Sequence, residues 1–223
     1  MDSPSIENHK HHTAERILDA AECLFAELGF EATTMRMITR RANVNLAAVN
    51  YHFGHKQDLF QQVLRRRLSQ LNQARIEALD VLEADEDSDA LSAEKVLRAF
   101  FIPAVRMASD TQDGGAAFMR LLGRTYTFPD AGVAKFIAEE YGPVMQRYLI
   151  ASSRVIPQLP RAELAWRLHF MAGAVTYAIS GADALSLVQQ EDSHVPEVLV
   201  ERLICFFLGG LQAPLSWMDS TVS

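Results

Sequence analysis

Residues 33–56, TTMRMITRRANVNLAAVNYHFGHK, constrain the fold more than any other stretch. The segment is short and basic and carries two helix signals separated by a break. Thr33 or Thr34 caps the first helix, over residues 35–42, because a side-chain oxygen there accepts from a free N–H of the first turn. Asn43 follows, a residue type that tolerates the left-handed conformation of a tight turn. Asn45 caps the second helix, from Leu46 to about Tyr51, and Gly54 breaks the chain. Two helices this short need a third to pack against. One stands upstream over residues 13–28, with Ile17, Leu18, Ala21, Leu24, Phe25 and Leu28 on one face. Gly29 ends it as a left-handed C-cap, and Phe30 packs back.

The chain after this unit reads as helix throughout. A long helix runs from Lys56 or Gln57 to about Glu83, with Phe60, Leu64, Leu68, Leu71, Ala78 and Leu82 along its seam and Arg75 interrupting it. About 27 residues at ~1.5 Å each make a rod of roughly 40 Å. The acidic run at 83–90 marks a boundary. Further helices follow over about 92–108, where Pro103 should bend the backbone, and over 116–126. Others cover about 130–154, with a weak point at Gly142 and Pro143, then 161–189 and 196–211. With 49% hydrophobic residues and few β-branched runs, the fold class is all-α. The expected organisation is a disordered tail at 1–12, a three-helix helix-turn-helix unit at 13–56, a larger helical ligand-binding and dimerisation body at 57–213, and a loose end at 214–223.

Net charge is −7, yet residues 33–67 carry seven basic side chains (Arg36, Arg40, Arg41, Lys56, Arg65, Arg66, Arg67) against Asp58 alone. A basic patch on an acidic chain suits docking on DNA at one end. Cys23 and Cys205 sit among apolar residues and read as buried free thiols. No apolar run reaches the roughly 18 residues of a membrane span, and the first residues are polar, so a soluble, cytoplasmic protein with no membrane partner is expected.

The major groove admits one α-helix and displays distinguishable base edges. Asn45 and Asn50 suit hydrogen bonds to bases, and Leu46, Ala47 and Ala48 suit close approach to a thymine methyl. Arg36 reaches a guanine or a phosphate. Thr33, Thr34, Tyr51, His52 and Lys56 suit phosphate contact.

Residues 13–60 resemble the N-terminal domain of the TetR family of bacterial repressors. The matching pieces are Ala20-Ala21, Leu24-Phe25-Ala26, Gly29-Phe30, Thr33-Thr34, Val44-Asn45, Val49-Asn50-Tyr51-His52-Phe53, Lys56 and Leu59. The resemblance implies a homodimer whose reading helices enter successive major grooves of a pseudo-palindromic double-stranded operator, and an all-helical ligand-binding body. Residues 118–123 (FMRLLG) and 166–171 (WRLHFM) look like the fatty-acid-responsive PsrA-type branch.

An apolar body rich in Met and Phe is compatible with an adaptable cavity for a small apolar effector, and the resemblance to the PsrA-type branch implies a fatty acid or acyl-CoA in it. Its candidate lining is Phe118, Met119, Leu122, Tyr126, Trp166, Phe170 and Tyr177, with Arg120, Arg124 and His169 as polar contacts. Gly173 and Gly181 allow close helix approach, and Leu199, Leu203, Phe206 and Phe207 form a stripe suited to a dimer interface. No GxSxG, HExxH, Walker loop or GxGxxG is present, so the chain reads as no enzyme, with no cofactor, metal or catalytic residue expected. The expected function is a ligand-responsive transcriptional repressor. An activator of the same architecture, a helical enzyme and a protein-partner-binding regulator are the alternatives.

Overall fold

The computed structural model describes residues 4–84, 91–111, 113–127, 131–179 and 196–215, with the side chains of 4–11, 126, 127, 131 and 196 left out. Every regular element among them is a helix. They are α1 (Pro4–Ala32), α2 (Met35–Ala42), α3 (Leu46–Phe53), α4 (Lys56–Glu83), α5 (Ala93–Ser109), α6 (Gly115–Thr127), α7 (Ala131–Val155), α8 (Arg161–Ile179) and α9 (Pro196–Gln212). The helical pattern follows the sequence closely because its stops are local. Ser92 caps α5 by accepting from Lys95 N at 3.2 Å. Gly29, at φ 83° and ψ 170°, interrupts α1 where a side chain would be strained. One expectation falls short: α1 starts at Pro4, so part of the segment read as a disordered tail has helical backbone. α5 and α7 each run as one helix with Pro103 and Pro143 inside, as their sequence spans suggest.

Helices α1–α3 form a head around Ile17, Phe25, Ile38, Val49, Leu59 and Phe60, all nearly or fully buried. Phe25, Phe30 and Phe60 cluster ring on ring, with centroids 4.9–5.9 Å apart. This core is not confined to the head. Phe118, Met119 and Leu122 of α6 and Val133 and Phe136 of α7 belong to it. A second core, in the body, gathers Phe100 and Phe101 of α5, Tyr148 of α7, Leu164 and Met171 of α8 and Phe207 of α9. α4 runs through both: Leu59, Phe60, Val63, Leu64, Leu68 and Leu71 belong to the first and Leu79 to the second. Each fully buried side chain of this size stabilises by roughly 1.5–3 kcal/mol, so α4 is anchored at both ends.

Both cysteines are exposed, contrary to expectation, Cys23 on α1 and Cys205 on α9. An apolar neighbourhood in sequence does not fix which side of a helix a residue faces. Leu28, read as part of the apolar face of α1, is also exposed. No helix among the described residues is long and apolar enough to cross a membrane.

Charge also joins α1 to α4. Glu22 is 3% exposed. Its carboxylate accepts from Arg67 Nε at 2.7 Å and from Arg66 Nη2. Arg66 Nη1 also reaches Asp19 at 2.8 Å and Glu15 at 3.2 Å. Arg67 donates in addition to the Asp113 carbonyl just before α6. Removing one member of such a cluster leaves charge without a partner in low dielectric. Glu22→Gln should therefore cost about 1.5–3 kcal/mol, measured as a lower urea midpoint; an unchanged midpoint would contradict this assignment.

Candidate nucleic-acid interface

The α2–α3 unit is fixed by side chains that cap its ends. Thr34 Oγ1 accepts from Met37 N at 3.3 Å and starts α2. Asn43 takes φ 51° and ψ 52°, the left-handed turn its residue type permits. The turn is held by Val44 N donating to Thr39 O at 3.0 Å. Arg16 of α1 donates to the Asn43 carbonyl at 2.9 Å and to that of Ala42. This contact spans 27 positions and leaves no trace in the local sequence pattern. Asn45 Oδ1 accepts from Ala48 N at 2.8 Å and starts α3.

Val49, fully buried, sets the orientation of α3. With that position pointing inward, Asn45, Leu46, Ala47, Asn50 and Tyr51 are exposed, and Ala48 and His52 are half-buried at the edges. Tyr51 is 70% exposed and meets His52 edge-on at 5.2 Å. Arg36 and Thr34 lie exposed at the start of α2. The result is a helix presenting two amides and small apolar side chains, flanked by a cation, a hydroxyl and a phenol. Because Asn45 uses its oxygen as a cap, its amide nitrogen is the group left to donate outward. Gly54 closes the unit at φ 69°, ψ −111°, a conformation that suits glycine.

Two residues expected at phosphates are employed inside the protein. Thr33 is fully buried, and its hydroxyl donates to Gly29 O at 2.7 Å and Leu24 O at 3.2 Å. It closes the end of α1, and a buried hydroxyl cannot reach a phosphate. Lys56 Nζ donates to Phe30 O at 2.8 Å and Thr33 O at 3.0 Å and lies 4.2 Å from the centre of the Phe30 ring. Its charge ties the start of α4 to the end of α1. His55 precedes α4 as its N-cap residue, its backbone N donating to Asp58 at 3.1 Å. The basic patch also divides. Arg41 pairs with Glu27, Arg65 with Glu140, and Arg66 and Arg67 with Glu22. Arg36 and Arg40 remain as exposed cations of α2.

In the body, the expected effector lining does not converge. Phe118, Met119 and Leu122 are packed into the core shared with α1 and α4. Arg120 is exposed, and Arg124 reaches across to the Ala26 carbonyl at 3.3 Å. The Tyr126 side chain lies outside the described residues. Trp166, His169, Phe170 and Tyr177 stand on the outer face of α8, with Phe170 64% exposed. A wide groove of about 1260 Å³ between α1, α4 and α5 is open and lined by both charges, among them Arg66, Glu77, Arg98 and Asp113.

The outer face of α8 aligns Trp166, Phe170, Gly173 and Tyr177 at helical spacing. Beside it, α9 exposes Phe206 (74%) and Gly209 and half-exposes Leu199 and Leu203. Phe207, expected here, turns inward and packs on Phe101 at 4.9 Å. Gly181 lies outside the described residues. Arg167, 8% exposed, locks the two helices together by donating to the carbonyls of Gly210, Leu211 and Ala213 at 2.8–2.9 Å.

The model of bacterial regulatory proteins of the tetR family matches residues 17–63, and that of the tetracyclin repressor-like C-terminal domain matches residues 98–210. YhgD of Bacillus subtilis, an uncharacterized HTH-type transcriptional regulator, is 33% identical over 64 residues, 29% of this chain and 34% of its own length. IcaR of Staphylococcus aureus, negative transcriptional regulator of the biofilm operon icaADBC, is 33% identical over 58 residues, 26% of this chain and 31% of its own. The match thus spans about a third of these relatives. Among solved structures, the regulator PfmR of Thermus thermophilus aligns with TM-score 0.60 and 18% identity over 89% of this chain and 95% of its own. The fatty acid degradation regulator FadR of Bacillus halodurans aligns with TM-score 0.65 and 13% identity over 96% and 100%. At these identities the likeness is one of fold.

The geometry separates the exposed Asn50 and Tyr51 from the buried Thr33. Asn50→Ala and Tyr51→Ala should each weaken binding to DNA selected by the protein about tenfold while leaving thermal unfolding unchanged. Thr33→Val should do the reverse, lowering stability by about 1–2 kcal/mol. Fluorescence anisotropy paired with a thermal scan checks both; unchanged affinity in the first two variants would contradict the assignment.

Proposed function

We propose, on the premise that this chain belongs to the TetR family of bacterial regulatory proteins, that it is a homodimeric repressor released from a pseudo-palindromic operator by a small apolar acid. The family's members are DNA-binding transcriptional regulators rather than enzymes, and the chain is a transcriptional regulator of that kind. The observation that carries the finer reading is the outward face of α3, where Asn45, Leu46, Ala47, Asn50 and Tyr51 are exposed around the buried anchor Val49. Such a face fits a major groove, with phosphates held by Thr34, Arg36 and Tyr51.

The exposed strip of Trp166, Phe170, Gly173, Tyr177 and Phe206 supports the second subunit. Large aromatics standing together in water on two adjacent helices mark an association surface, and a pair of helices from each of two copies covers both. Release follows from how the head is held. α6 shares the head's core and donates through Arg124 to the Ala26 carbonyl. A shift of α4 or α6 on effector binding moves α1 and changes the separation of the two α3 helices. Operator binding needs both helices in grooves about 34–36 Å apart, so a small displacement lowers affinity. The relative IcaR is named a negative regulator, which supports repression as the sign.

Phe170→Glu and Phe206→Glu should convert the dimer to monomer without unfolding it, read by sedimentation; a dimer that persists in the double variant would overturn this interface. Decanoate should weaken binding to the selected duplex by roughly 5- to 150-fold, read by anisotropy. Affinity indifferent to medium- and long-chain acids would overturn the effector class.

A further inference from the structure

Arg75 lies in the middle of α4, on its core-facing side, and is 4% exposed. Every other buried or half-buried arginine described above has its cationic head on a carboxylate or on several carbonyls. Among the described residues the Arg75 side chain makes one hydrogen bond, from Nε to Phe100 O at 3.0 Å. Two aromatic faces offset part of its charge: its guanidinium carbon is 4.1 Å from the centre of the Phe100 ring and 5.3 Å from that of Tyr141. No salt bridge involves it among the described residues, and Nη1 is buried without a hydrogen-bond partner there. Three residues earlier, on the same side of α4, Asn72 repeats the pattern. It is 8% exposed, its Nδ2 donates to Glu140 O at 2.9 Å, and its Oδ1 is buried without a partner.

A buried guanidinium with an unmet donor costs free energy, as does a buried amide oxygen with nothing to accept from. Two such atoms, a donor on a cation and an acceptor, arise one helical turn apart at the junction of α4, α5 and α7. Such atoms are uncommon in native interiors and call for a partner. We propose that Arg75 Nη1 is the anchor for the carboxylate of the effector, with Asn72 Oδ1 accepting from a hydroxyl beside that carboxylate or from a water it holds. The rings of Phe100 and Tyr141 wall the site, so the ligand class is an organic acid whose carbon skeleton next to the carboxylate is apolar. The anchor rests on the reading of the chain as an acid-responsive regulator, and it replaces Arg120, Arg124 and His169 as the polar end of the site. It also places the ligand directly on the helix that links the two cores.

The test is isothermal titration of the DNA-free dimer with decanoate, 3-hydroxydecanoate and decan-1-ol. The native protein should bind both acids at least tenfold more tightly than the alcohol. In Arg75→Met that preference should vanish, with the alcohol's affinity retained and the thermal midpoint not lowered, because Met replaces an unpaired charge with an apolar chain of similar length. Asn72→Leu should erase any advantage of 3-hydroxydecanoate over decanoate. Should Arg75→Met fail to fold, Arg75→Lys decides. It keeps the charge but not the reach of Nη1, so acid affinity should fall several-fold while that of the alcohol holds. A preference for acid that survives in the folded Arg75 variant, or a native protein that binds acid and alcohol equally, would overturn the anchor and leave a trapped water as the partner of both atoms. No binding of any of the three probes overturns it as well. Acid binding that depends on Arg75 but leaves operator affinity unchanged would instead sustain the site and refute release by the acid.

Discussion

The carboxylate of Glu22 holds the molecule's two parts in register. It is buried, and it accepts from two consecutive arginines of α4, Arg66 and Arg67. Arg66 gathers Glu15 and Asp19 to the same point, and Arg67 carries the connection on to the Asp113 carbonyl before α6. One cluster thus fastens α1, α4 and the start of α6. Removing charges from water is costly unless geometry and hydrogen bonding are good, so a cluster of this kind fixes a relative position more than it adds stability. Apolar packing of Phe118 and Leu122 against the head then fills the space that the charges define.

This arrangement makes the head dependent on the body. Helix-turn-helix units are easily pictured as separate modules, but here the head's core includes α6 and α7 residues, and α4 is common to both cores. The two tethers at the head's lower end, Lys56 to the carbonyls closing α1 and Arg124 to Ala26, reinforce the link. α4 is therefore joined to α1, and α1 is joined through Arg16 to the turn between α2 and α3.

Local signals were legible in the sequence and long-range ones were not. The cap of α2, expected at Thr33 or Thr34 and found at Thr34, the cap at Asn45 and the left-handed Asn43 follow from side-chain chemistry within four residues of each position. The exposed face of α3 follows from helical geometry once Val49 is inside. By contrast, Thr33 and Thr34 are chemically identical neighbours, and only the closing of α1 sends Thr33 inward. The partners of Arg66 lie 44–51 positions away, so a run that reads as a basic patch is largely neutralised in the fold. α8 is apolar around its circumference, with Leu164, Leu168, Met171 and Val175 inside and Trp166, Phe170 and Tyr177 outside. Periodicity cannot choose a face on such a helix, which is why aromatics read as pocket lining stand on the surface.

The central claim is that two copies of α3, held at a fixed separation by the body, read one stretch of duplex. Hydroxyl-radical footprinting on duplexes selected by the purified protein measures that separation directly. The account predicts two protected patches on one face of the helix, centred about 34–36 Å apart and related by the operator's symmetry. A single protected patch, or uniform weak protection without sequence preference, would contradict it.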